Sequence, residues 1–200
     1  MVRNSLCARI ANIALMTLAL LAWANPSSAQ TYCDIEAHDA RTTNSGSANL
    51  LAIQGAINTC KGGNGHVFIP GKAYTVTGTL TINDNVAIVG AGRGSSVLAF
   101  TSGGFDVDTN DKVIFRDFTL TTNSSSTAIA IAGTSGIGNG PGSTIRDMHL
   151  SGCNICIDLQ SAWETYIVDN LIDAVPGTGV AIKLANSLGP DSGGYHVQGN

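Results

Sequence analysis

Three aspartates recur at one place in a repeating pattern. Phe115-Arg-Asp-Phe-Thr-Leu120, Ile145-Arg-Asp-Met-His-Leu150 and Ile167-Val-Asp-Asn-Leu-Ile172 each have an apolar first position, Asp at the third and an aliphatic sixth. Stacked in register, Asp117, Asp147 and Asp169 would form a column of carboxylates with neighbours about 5 Å apart. Like charges that close raise one another's pKa or recruit a cation. The column therefore suits a cation site, or the two carboxyls of a glycoside hydrolase, which stand ~5–9 Å apart. A structural use competes with both. Arg116 and Arg146 precede two of the three and can neutralise them as ion pairs, and Asp side chains hydrogen-bond the backbone at turns.

Other chemistry-bearing stretches are weaker. Asp106-Val-Asp-Thr-Asn-Asp111 alternates acids like the opening of a calcium loop, with Asp117 at the twelfth place. The sixth-place glycine is missing and the flanks are strand-like, so Asp106 and Asp108 are candidate ligands of a weak calcium site against a solvated turn. Gly90-Ala-Gly-Arg-Gly94 follows a strand but has no helix after it. It fails as a dinucleotide loop, and its glycines turn the chain. His38, His66, His149 and His196 show no metal-ligand spacing and read as surface or turn residues. There is no GxSxG and no HExxH.

The elements that must hold these residues are short strands. Val67–Ile69, Tyr74–Val76, Leu80–Ile82 and Val86–Val89 are rich in β-formers and bounded by Pro, Gly, Asn or Asp. The six-residue pattern recurs with first positions 86 (loosely), 115, 145, 167 and 197, at steps of 29, 30, 22 and 30 residues. Between them lies a second set of strands: Ala128–Ile131, Ile155–Leu159 and Val180–Leu184. Two or three strands per irregular coil, with no helix in the unit, predict a parallel β-helix in which each coil completes its core only by stacking. One helix precedes the coils. Leu50, Leu51, Ile53, Ala56 and Ile57 recur at helical spacing over Ala48–Cys60, with Ser47 as N-cap and Gly62-Gly63 as the stop. It would cover one end of the stack and protect the sheet edges there.

Composition sets the compartment and the partners. Arg3 and Arg9, an apolar run Ile10–Ala24 and Pro26-Ser-Ser-Ala29 make residues 1–29 a secretory signal peptide, with no membrane span left after cleavage. The protein is then secreted or periplasmic. The whole chain carries 10 Lys+Arg against 14 Asp+Glu, net −4, and cleavage makes that −6. An acidic surface argues against nucleic acid as partner, although a local site can differ in sign from the whole. Cys33, Cys60, Cys153 and Cys156 remain, an even number that favours disulfides in an exported chain. Cys33–Cys60 would tie the extension 30–47 to the helix end, and Cys153–Cys156 would close a local loop. Four cysteines allow three pairings, and a CxxC also serves redox or zinc chemistry.

Three stretches carry a resemblance. Leu51-Ala-Ile-Gln-Gly-Ala-Ile57, Gly62-Gly-Asn-Gly-His-Val-Phe-Ile-Pro-Gly-Lys-Ala-Tyr74 and Asn85-Val-Ala-Ile-Val-Gly-Ala-Gly-Arg-Gly-Ser-Ser-Val-Leu98 resemble the start of the pectate-lyase-like (pectin lyase fold) superfamily. The resemblance spans residues 35–200. It implies an all-β, right-handed, single-stranded parallel β-helix with an N-terminal capping α-helix, here residues 48–200 with the helix at 48–60 and about five coils. It also implies polysaccharide as partner. Such families use calcium held by carboxylates for β-elimination or paired Asp residues for hydrolysis. The Asn-Thr-Asp, Asp-Asp, Gly-His-Gly and Arg-Ile-Lys of polygalacturonase-like members are absent. Two readings result: an exported polysaccharide lyase or glycoside hydrolase, or a non-catalytic module for surface attachment or glycan binding. The chain stops at Asn200, one step into a new coil. It reads as truncated, with oligomerisation through an uncapped last coil as the other reading.

Overall fold

In the computed structural model the described residues are 31–62, 65–108, 112–132, 142–160, 165–175, 177–185 and 195–200. The leader 1–29 therefore lies outside them, as does Asp111. Seventeen strands follow the chain in triplets that rise along one axis. β2 (His66–Ile69), β3 (Ala73–Thr77) and β4 (Leu80–Ile82) make the first coil, and β5 (Val86–Gly90), β6 (Val97–Ser102) and β7 (Phe105–Asp108) the second. The third has β8 (Val113–Arg116), β9 (Thr119–Thr121) and β10 (Thr127–Ala132), and the fourth β11 (Thr144–Arg146), β12 (His149–Ser151) and β13 (Ile155–Gln160). β14 (Tyr166–Val168), β15 (Leu171–Asp173) and β16 (Val180–Ala185) follow, then β17 (His196–Gln198). A short strand β1 (Tyr32–Asp34) precedes them all.

Every pairing between these strands is parallel. They form three sheets: A, seven strands in the order β1-β2-β5-β8-β11-β14-β17; B, the five from β3 to β15; and C, the five from β4 to β16. The predicted parallel β-helix is present. Strand alternation explains its core, because one residue in two points inward. Val67, Ile88, Phe115, Ile145 and Ile167 stack in register in sheet A, and all are buried. The register corrects one alignment. Ile88, not Val86, lies opposite Phe115.

The helix α1 (Gly46–Cys60) begins earlier than its periodicity suggests, with Ser45 rather than Ser47 as N-cap and its side chain accepting from the Ala48 N–H. Leu51, grouped with the apolar face, is 74% exposed, while Asn49 is buried. That exchange has a reason. A β-helix end presents unpaired strand edges, and polar side chains of α1 pair them. Asn49 Nδ2 donates to the Thr75 carbonyl of β3 at 2.9 Å. Gln54 both donates to the Thr81 carbonyl and accepts from the Thr81 N–H of β4, each at 2.9 Å. β1 pairs the remaining edge, that of β2. The Cys33–Cys60 disulfide joins β1 to the end of α1, and Cys153–Cys156 closes the corner between β12 and β13. Closing a loop of that first kind, whose cysteines stand 27 residues apart, stabilises by about 3.5 kcal/mol in the chain-entropy account.

Candidate functional site

The aspartate column sits at the corner between sheets A and B. Asp117, Asp147 and Asp169 all have left-handed backbone, with φ of 64°, 52° and 56°. Side chains other than Gly, Asn and Asp are disfavoured there, which is a sufficient reason for Asp to recur. Gly199 takes the same place in the next coil with φ 66°. The residue after each corner points inward. Phe118, Met148 and Asn170 are buried in turn. Asn170 bonds the Ile145 carbonyl and the Asn200 side chain and accepts from the Met148 N–H, so an amide ladder replaces the apolar filling in the later coils.

A strap crosses this column. After β5 the glycine-rich segment leaves the corner and lies over the next coil: the Gly92 N–H donates to the Asp117 carbonyl at 2.9 Å and the Gly94 N–H to Thr119 Oγ1 at 3.2 Å. A Cβ on Gly90 would collide with the Asp117 carbonyl oxygen and the Phe118 side chain. Arg93 reaches along the corner and donates to the Asp169 carbonyl at 3.2 Å. The cation that runs beside the column is thus Arg93. Of the two arginines expected to neutralise it, Arg116 pairs with Asp117 at 3.2 Å, and among the described residues no ion pair joins Arg146 to Asp147.

Outward positions of the three sheets differ in sign. On sheet C, Asp106 and Asp108 project from β7 and are exposed. Asp158, two strands on from Asp106 in the same column, is buried and accepts from Lys183 Nζ at 3.2 Å and Gln160 Nε2 at 3.0 Å. Asp106 also borders a cavity of about 330 Å³ with Thr79, Ser126 and Thr127. Among the described residues no group of three or more His, Cys, Asp or Glu could hold a metal ion. On sheet B, His149 Nε2 lies 3.0 Å from Asp173 Oδ2.

Sheet A is the basic face. Register places Tyr32, His66, Ala87, Ile114, Thr144, Tyr166 and His196 in one outward column, and Asp34, Phe68, Val89, Arg116, Arg146, Val168 and Gln198 in the other. Arg116 and Arg146 are direct partners, so their side chains emerge about 4.8 Å apart along the axis. Lys112, just before β8, joins them. These three cations with His66, Ala87, Ile114 and Thr144 line an open depression of about 350 Å³. Small and apolar side chains floor it, and long cationic ones wall it. Burial, then the Arg116 charge, holds His66 below the ordinary histidine range. Aromatic pairs flank the depression: Tyr32 against Phe68, with centroids 5.6 Å apart, and Tyr166 stacked on His196 at 4.7 Å and 6°.

Sequence spacing did not reveal this group. Lys112, Arg116 and Arg146 come together only through the coil register, and residues 133–141, between Arg116 and Arg146, lie outside the described residues. The usable signal was the strand alternation that sets Arg116 and Arg146 outward once Phe115 and Ile145 face inward.

Comparisons with known proteins bear on the architecture. No family model matches the chain, and no curated protein does. Among solved structures, Geobacillus virus E2 - ORF18 is similar, with a TM-score of 0.59 and 19% identity, over 70% of this chain and 30% of that one. The likeness at that identity concerns the fold alone. The chain spans about 30% of that protein's length.

Proposed function

We propose that this chain is an exported β-helix protein that binds an extended acidic polysaccharide along sheet A. The observation that carries the reading is the Lys112–Arg116–Arg146 depression on a chain whose net charge is −4. Arg116 is paired with the corner residue Asp117, whereas among the described residues no ion pair offsets Lys112 or Arg146, and aligned charges of one sign cost self-repulsion unless a counter-charge binds. A carboxylate accepts bidentate bonds from guanidinium, worth more than neutral hydrogen bonds. One arginine on each of the adjacent strands β8 and β11 also suits a polymer whose sugar repeat is close in length to the coil spacing, lying parallel to the axis. The flanking aromatic rings offer apolar faces at either end.

Export rests on the basic–apolar–small leader and on two disulfides, which persist in oxidising compartments. Among the described residues no helix is long and apolar enough to cross a membrane. The pectate-lyase-like resemblance supports the same substrate class. The test is a titration of the protein with polygalacturonate and with uncharged dextran. Binding of the polyuronate alone, weakened by added salt and by the pair of substitutions Arg116→Gln and Arg146→Gln, is the expected result. Equal binding of both polymers, or none of either, overturns the reading.

A further inference from the structure

The basic depression contains one group that changes charge near neutrality. His66 stands in the same cavity as Lys112, Arg116 and Arg146, and we propose that it couples polyanion binding at this site to the uptake of a proton. The inference rests on the binding reading above and adds its regulation.

The surroundings of His66 make the coupling directional. On β1 its neighbours are Tyr32, directly opposite, and Asp34. β5 offers only Ala87 and Val89. Helix α1, which packs on β2, has no charged side chain. From the 3-10 turn Ile35–His38, Glu36 is already engaged by Lys72 at 2.8 Å and Tyr74 at 2.9 Å, and His38 ends the turn. The other charged side chains lining the depression are Lys112, Arg116 and Arg146, with Asp117 ion-paired to Arg116 at 3.2 Å. In the free protein, burial and then Arg116 favour the neutral ring. A bound polyanion brings negative charge among the same cations, offsets them at the ring and favours imidazolium. The ligand also desolvates the ring, which acts the other way, so the sign of the measured proton uptake shows which effect prevails. An imidazole has two ring nitrogens, so a proton can be held at one while the other keeps a hydrogen bond.

Linkage then works in both directions. A ligand that raises the His66 pKa must bind more tightly where His66 is protonated, by the same factor. Affinity is high below the bound-state pKa of His66 and falls as pH rises through it. At higher pH the site holds the polymer through Lys112, Arg116 and Arg146 alone. The protein would capture acidic polymer under mildly acidic conditions and release it towards neutral and alkaline pH.

Dextran sulfate is the probe, because its sulfates stay ionised throughout and leave the protein's own groups to set the pH dependence. Calorimetric titrations in buffers of different ionisation enthalpy give the affinity and the protons taken up. The proposal expects binding about fivefold tighter at about pH 5.5 than at about pH 8, for a pKa displaced by about one unit. It also expects fractional proton uptake near pH 6 that disappears in His66→Gln, with the melting temperature at neutral pH checking that the variant is folded. His196 shares the outward column but lies about 24 Å away along the axis, well beyond the Debye length of about 8 Å, so His196→Gln retains the pH dependence. Binding that is independent of pH, or proton uptake that survives His66→Gln, overturns this inference and leaves the binding reading standing. The unmodified protein's own proton uptake decides even where a variant misfolds. No binding of dextran sulfate or polygalacturonate at any pH overturns both.

Discussion

Arg146 and Asp147 are adjacent in the chain, and each has a counterpart one coil earlier, Arg116 and Asp117. At the corner the backbone dictates the residue. A φ of 52° or 64° admits Gly, Asn or Asp with little strain, and the chain uses Asp three times and Gly once. One position earlier, on sheet A, the backbone is ordinary strand and accepts almost anything outward. Val89 and Val168 occupy the same column without penalty. Recurrence at the coil spacing therefore has two causes in one molecule, and only the second leaves chemistry unexplained.

Substitutions separate the two. The largest effect is on binding: Arg116→Gln with Arg146→Gln should weaken polygalacturonate binding by at least about 150-fold, since two charge-assisted bonds at ~1.5–3 kcal/mol each contribute ~3–6 kcal/mol. Thermal stability should stay within about 0.5 kcal/mol, as for surface substitutions generally. Asp147→Val should do the reverse. A β-branched residue in left-handed backbone costs about 1–2 kcal/mol, which denaturant unfolding would register, with affinity unchanged; Asp147→Gly restores the stability. Arg93→Ala removes an exposed hydrogen bond to the Asp169 carbonyl and should cost about 1 kcal/mol or less. A larger loss there would mean that the strap holds the corner.

The smallest effect is on stability against pH. His66 titrates lower in the folded chain than its ordinary value, so its contribution is fully present above an unfolded pKa of ~6.5 and is lost as pH falls through the folded value. Glu36, held below its ordinary value by hydrogen bonds from Lys72 and then Tyr74, acts in a separate window. Its contribution is present above ~4.3 and lost below that. A melting-temperature profile should show a shallow step between about pH 7 and pH 5 that His66→Gln removes, and a later one that it does not.

The fold was legible because its signals are local. Short runs of Val, Ile and Phe between turn formers, repeated at steps near thirty residues, leave little besides stacked coils. The corner aspartates were visible for the same reason, and their place in the pattern was right. Their role was ambiguous because a sequence shows spacing and not φ. The helix boundary slipped at Ser45 because Asn49 and Gln54 look like the polar side of a helix, whereas they pair strand edges. The basic depression was illegible. Lys112 and Arg146 are far apart in the chain and meet only through the register of β8 on β11. Coils of unequal length hide such neighbours from any fixed spacing.

Amide chemical-shift mapping with short oligogalacturonates is the sharpest check on binding of the acidic polymer along sheet A. The shifts should gather on sheet A, at Ala87, Ile114, Thr144 and their neighbours, and fade in the Arg116→Gln, Arg146→Gln protein. Shifts centred instead on Asp106, Ser126 and Thr127 of the other cavity, or on the Asp117–Asp147–Asp169 corner, would contradict it.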